Sequence, residues 1–104
     1  MFKINDNITA QSLYNYGFHR KCGDYKLSIP LYRYNGKPLL MLKIYADLDE
    51  RTLIYKVKDL NTNCLYAAYY DKHQDKNNTV LSSIKEIITD EIEKIQKAGI
   101  LCPI

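Results

Sequence analysis

Residues 25–45 read Tyr25-Lys26-Leu27-Ser28-Ile29-Pro30-Leu31-Tyr32-Arg33-Tyr34-Asn35-Gly36-Lys37-Pro38-Leu39-Leu40-Met41-Leu42-Lys43-Ile44-Tyr45. Tyr25, Leu27, Ile29 and Leu31 alternate with Lys26, Ser28, Pro30 and Tyr32, the period-2 pattern of a strand with one buried face. Asn35-Gly36 is the favoured pair for a two-residue type I′ turn, because both central positions need positive φ. With Tyr34 and Lys37 flanking that turn, Leu31 faces Leu40, Ile29 faces Leu42 and Leu27 faces Ile44. The opposite face then pairs Tyr32 with Leu39, Pro30 with Met41, Ser28 with Lys43 and Lys26 with Tyr45. Pro30 has no N–H to donate, which argues for a sheet edge at that point.

The flanking segments complete the pattern. Upstream, Ile8 to Tyr16 reads as a short helix, with Thr9 as N-cap and Gly17 where a left-handed C-terminal cap is wanted. Leu13 then lies where it meets Phe18, and His19 to Asp24 reads as a polar turn. Downstream, Asp47 to Thr52 is a turn; Leu53, Tyr55 and Val57 continue the inward face while Ile54, Lys56 and Lys58 point out. Asp59 to Asn63 turns again into a fourth strand, Cys64 to Tyr70, whose facing a one-residue slip would reverse. Asp71 to Asn78 reads as a charged, flexible connection. A helix from about Thr79 to Ala98 closes the chain. It carries Leu81, Ile84, Ile88, Ile92 and Ile95 at spacings of three and four, with Ile87 widening the stripe. Asn78 caps its start and Gly99 its end. Helix, antiparallel meander, helix implies a single α+β domain over residues 1–104: two layers, about four strands, and the long C-terminal helix packed on one sheet face.

Composition narrows function less than fold. The 104 residues are 46% hydrophobic and 26% charged, an ordinary globular balance. Fifteen Lys+Arg against twelve Asp+Glu give a net charge of +3, mildly basic. No run approaches the ~20 apolar residues of a membrane span, and the N-terminal residues lack the apolar core of an export signal. Three widely spaced cysteines, Cys22, Cys64 and Cys102, suit reduced thiols in a cytoplasm better than a disulfide framework. Ten tyrosines stand against two phenylalanines and no tryptophan. A tyrosine surplus suits half-wet contact surfaces. It also suits AT-rich coding, since Asn, Ile, Lys and Tyr together make 42 of the 104 residues.

The candidate site is the outward sheet face, where the register places Lys26, Tyr32, Lys43, Tyr45, Lys56 and Lys58, with Met41 and Ile54 between them and Leu65 and Tyr69 alongside. Aromatics among lysines stack single-stranded bases and neutralise phosphates, and the same mixture suits a protein partner or a homodimer. A solvated face built from good strand formers is the plain alternative. His19 and Cys22, with Cys64, His73 and Cys102, lack zinc-site spacing, so neither metal nor cofactor is expected. Asp47, Asp49 and Glu50 suit turn geometry, and Glu86, Asp90, Glu91 and Glu93 a solvated helix face. The four glycines stand apart and build no phosphate loop. No residue is nominated for catalysis.

Tyr16-Gly17-Phe18 after a short helix, Val57-Lys58-Asp59 ending a strand, Tyr66 in the next strand and the acidic helix Ile87 to Ile95 closing near Cys102 resemble a small Firmicute module associated with MmcQ/YjbR-type DNA-binding proteins. The chain departs from it at Pro103, where an aromatic is expected, and in the basic run His19-Arg20-Lys21. The resemblance implies a helix–sheet–helix fold and DNA binding, and transfers no catalytic residue. The resulting expectation is a non-enzymatic cytoplasmic protein acting by macromolecular contact, with a protein partner first and nucleic acid as the alternative. The composition fits a phage or mobile-element accessory protein or an inhibitor of a host factor.

Overall fold

The structure, a computed structural model, describes residues 2–71, 74 and 77–102. Its centre is the hairpin of β3 (Asp24–Tyr34) and β4 (Lys37–Asp47), closed by Asn35 and Gly36 at φ of 51° and 79°. Residues 25–30 pair with 41–46 in the expected register, with Leu27 opposite Ile44 and Ile29 opposite Leu42. Nearer the turn the register departs from expectation. Leu31 is an extra residue on β3 and Leu39 one on β4, so Tyr32 pairs with Leu40 rather than with Leu39. A bulge places consecutive side chains on nearly the same side of a strand. Leu31 is therefore buried, and Tyr32 packs against the same core.

The sheet is wider than the four-stranded meander. β5 (Thr52–Asp59) pairs with β4, and the order across the sheet is β1-β5-β4-β3-β2. β1 (Phe2–Lys3) covers the Thr52–Leu53 end of β5, while β6 (Cys64–Leu65) covers its Lys58–Asp59 end. β2 (His19–Lys21) replaces the expected polar turn and pairs with Asp24–Lys26 through a second tight turn. Cys22 and Gly23 occupy that turn at φ of 52° and 88°. Glycine at its second central position is the usual choice, whereas cysteine at the first is not.

The expected fourth strand stops after two residues. Beyond Leu65 the chain forms a short helix, α2 (Ala67–Tyr70), in keeping with the weak strand preference of Ala67-Ala68. The Tyr66 N–H still bonds Val57 O at 2.8 Å, and the Tyr70 hydroxyl accepts from Val57 N at 3.1 Å. Tyr69 faces Tyr55, their hydroxyls 2.7 Å apart. That hydrogen bond and burial raise the Tyr69 phenol well above the usual range, burial being the larger cause.

Two long-range helices cover one face. α1 (Ala10–Tyr16) begins at Thr9, whose hydroxyl accepts from Ser12 N while Ser12 Oγ accepts from Thr9 N, a reciprocal cap. α3 (Thr79–Lys97) begins at Asn78, whose Oδ1 accepts from Leu81 N at 3.0 Å. Both helices end alike. Phe18 N bonds Leu13 O and Gly17 N bonds Tyr14 O, and likewise Ile100 N bonds Ile95 O and Gly99 N bonds Gln96 O. These are glycine-terminated caps whose flanking apolar pairs, Leu13 with Phe18 and Ile95 with Ile100, are all buried. Leu13 and the α3 residues Leu81, Ile84, Ile88 and Ile95 join Leu31, Leu42, Ile44, Leu53 and Val57 in one core. The fold is thus α+β and two-layered, with the second sheet face left open.

Asn5 ties the described ends together. Its Nδ2 donates to Gly99 O at 2.8 Å and Leu101 O at 3.0 Å, while Cys102 Sγ donates to its Oδ1 at 2.9 Å. Asp47 Oδ1 accepts from Asp49 N and Glu50 N, the turn role expected of that acidic cluster. Glu91 is not on the solvated helix face, because the Tyr16 hydroxyl donates to it at 3.2 Å.

Candidate binding surface

Three cross-strand rows build the open face. Lys26, Tyr45 and Ile54 form one, Ser28, Lys43 and Lys56 the next, and Pro30, Met41 and Lys58 the third. Strand alternation puts all nine on the side away from the helices. Of the seven residues expected to form a binding surface, Lys26, Lys43, Tyr45, Lys56 and Lys58 are brought together. Tyr32 and Tyr69 are not. The bulge turns Tyr32 toward a cleft of about 330 Å³ beside Leu40, Tyr66 and Val80. In that cleft Asp59 and Asn78 are already engaged, by Asn61 N and Leu81 N. Tyr69 lies on α2 within the Tyr55 and Tyr70 cluster. Leu65, paired with Lys58, extends the open face.

Tyr45 is the one tyrosine left among the lysines. Lys26 Nζ stands 5.3 Å and Lys56 Nζ 5.5 Å from its ring centroid, so two ammonium groups share one ring. Lys43 Nζ donates to Ser28 Oγ at 3.0 Å. Its pKa is lowered, first by burial and then by the charges of Lys26, Lys58 and Lys21. Among the described residues the ion pair is Lys94–Glu91, on α3 beneath the sheet. Asp24, opposite Lys21, and Asp47, two residues beyond Tyr45, stand at one end of the open face; towards the other end Lys43, Lys56 and Lys58 hold like charges in mutual range.

Two residues outside the expected site extend it. His19 pairs with Lys26 and Lys21 with Asp24, which places both on the lysine side of β2. With Lys26, Ser28 and Lys43 they line a groove of about 440 Å³ where the chain passes from Gly17 into β2. A turn reading of residues 19–24 hides them, and Cys22-Gly23 is the signal that would have revealed the extra strand. Tyrosine elsewhere does structural work: Tyr16, Tyr25, Tyr32, Tyr55, Tyr66 and Tyr69 pack against the core rim.

Among the described residues no group of three or more His, Cys, Asp and Glu converges as a metal site would require. His73 lies outside the described residues, as does Pro103. Among them, too, no helix is long and apolar enough to cross a membrane. No protein-family model and no curated protein matches the chain. Among solved structures, a DUF1831 family protein from Lactobacillus plantarum matches with a TM-score of 0.67 at 13% identity. The match covers 95% of this chain and 82% of that one. At that identity the likeness is one of fold. It has no bearing on the MmcQ/YjbR resemblance, one residue of which, Tyr66, stands just beyond the strand expected to hold it.

Proposed function

We propose that the protein is a non-catalytic cytoplasmic module that binds nucleic acid through its open sheet face. The observation that carries this reading is the cluster Lys21, Lys26, Lys43, Lys56 and Lys58, five cations on one face with one carboxylate, Asp24, opposite Lys21 and no ion pair to it among the described residues. Backbone phosphates supply the counter-charge, and release of their condensed counterions drives association. With Tyr32 and Tyr69 elsewhere, a single ring remains for base stacking, so binding is mainly to phosphates and weakly sequence-selective. The centres of protein interfaces are depleted in lysine, which makes this face a poor apolar interface.

The test is anisotropy of labelled single- and double-stranded oligonucleotides between 50 and 400 mM salt. Three to five neutralised phosphates give a slope of log K against log salt of about −2 to −4.5. Binding that ignores salt, or none at 50 mM, would end the reading.

A protein partner is favoured by a different feature. Beyond Lys26, β3 has no strand on its outer side among the described residues, so Leu27–Tyr34 is a free edge for strand addition. A homodimer or a captured host factor would use that edge rather than the lysine face. Its signature is a complex that survives 400 mM salt and leaves the Tyr45 ring resonances unmoved. A salt-resistant complex that shifts them would count against it.

A further inference from the structure

The groove at the end of β2 differs in kind from the rest of the lysine face. The face is open, whereas the groove is concave, and the side chains of His19, Lys21, Lys26, Ser28 and Lys43 line it together. They supply three ammonium groups, one imidazole and one hydroxyl, with no carboxylate among the lining residues. Lys43 and Ser28 are already held in place by their mutual hydrogen bond. β2 and β3 set the spacing of His19 and Lys26 through their cross-strand pairing. At the rim, Gly17 contributes no side chain and β3 loses its outer neighbour, so the groove opens to one side.

We propose that this groove binds a phosphomonoester dianion, such as the terminal phosphate of a nucleic-acid strand or a free small phosphate. An internal phosphodiester has one charge and two free oxygens. A monoester near neutral pH has nearly two charges and three acceptor oxygens, which suits a concave set of several donors better. Ammonium groups already in mutual repulsion gain most from a ligand carrying the larger charge. Recognition of a strand end rests on the nucleic-acid reading above; recognition of the phosphate itself does not.

The experiment compares three oligonucleotides of one sequence, carrying a 5′-phosphate, a 3′-phosphate or hydroxyl ends, at 100 mM salt against the whole protein. Adenosine monophosphate serves as a free phosphomonoester, followed by amide shifts around Gly17, His19 and Lys21. A phosphorylated end is expected to bind about tenfold tighter, the scale of one extra charge-assisted contact. Lys21→Gln and His19→Ala, both at exposed positions, should each reduce that preference below twofold, and Lys21→Gln should also weaken the hydroxyl-ended strand by the loss of one backbone phosphate contact. Adenosine monophosphate shifting these amides while no oligonucleotide binds would support the groove and sink the nucleic-acid reading. Equal affinity for all three oligonucleotides, with a normal salt slope, would overturn the groove proposal and spare that reading. No shift and no binding would overturn both.

Discussion

Replacing Lys43 by Met tests whether the lysine face exists for a ligand or merely tolerates its charges. Lys43 stands directly opposite Lys56, with Lys26 and Lys58 on the diagonals of neighbouring strands. Like charges at such positions destabilise a sheet by a few tenths of a kcal/mol each, so three neighbours sum to about 1 kcal/mol. Met keeps the apolar stem but loses the hydrogen bond to Ser28, a half-exposed contact contributing about 0.5 kcal/mol. The variant should therefore be more stable by about 0.5 kcal/mol, or roughly 2–4 °C in Tm for a domain of this size. The gain has a pH signature. The folded pKa of Lys43 lies below its unfolded value. The native protein consequently gains stability as pH rises through that folded pKa toward the unfolded one, and the advantage of Lys43→Met shrinks there. The same change removes one phosphate contact. Affinity should fall about three- to tenfold and the salt slope by about 0.7–0.9. Thermal unfolding by circular dichroism and anisotropy titration read the two effects. A variant that is less stable and binds with an unchanged slope would refute the reasoning, because Lys43 would then be an ordinary packing residue.

Three further outcomes follow from the core and its caps. Gly17 has φ of 129°, and a Cβ there would meet Leu27 Cδ1 at an unstrained 3.5 Å. Gly17→Ala should hence cost about 1–2 kcal/mol through backbone strain alone, measured by urea unfolding; a cost under 0.3 kcal/mol would contradict the cap. Ile84 is fully buried between α3 and the sheet, so Ile84→Ala should lose about 2–5 kcal/mol, and an unchanged urea midpoint would show the core to be misassigned. The Tyr16 phenol is pushed up to about 12, by burial first and then by the Glu91 carboxylate it bonds. Its contribution is full below the unfolded value near 10 and is lost as pH rises toward 12. Tyr16→Phe should be less stable than the native chain at pH 8, with the gap narrowing by pH 11.5; a constant gap would argue against the Tyr16–Glu91 contact.

Local rules carry well where the chain meets its own near neighbours. The Asn35-Gly36 turn, the pairing of residues 25–30, both glycine caps and the isoleucine stripe of α3 depend on contacts a few residues apart or on a register set by a two-residue loop. Tyr32 fails because a bulge conserves strand count while changing facing, and no residue type announces it. Residues 66–70 fail for a related reason. Their alternation suits a strand, but the outer edge of β5 is completed by β6, by the Tyr66 N–H and by the Tyr70 hydroxyl, and α2 is free to turn inward.

Sequence alone thus determined an α+β domain with an isoleucine-faced helix beneath a hairpin and a row of lysines above it, because periodicity and turn chemistry act over short distances. Tertiary structure decided which tyrosines share that upper face, that β2 exists, and that His19 and Lys21 meet Lys43 in a groove. Those outcomes depend on strand edges finding partners far along the chain, and each backbone donor at an edge accepts whichever acceptor the assembled fold brings near.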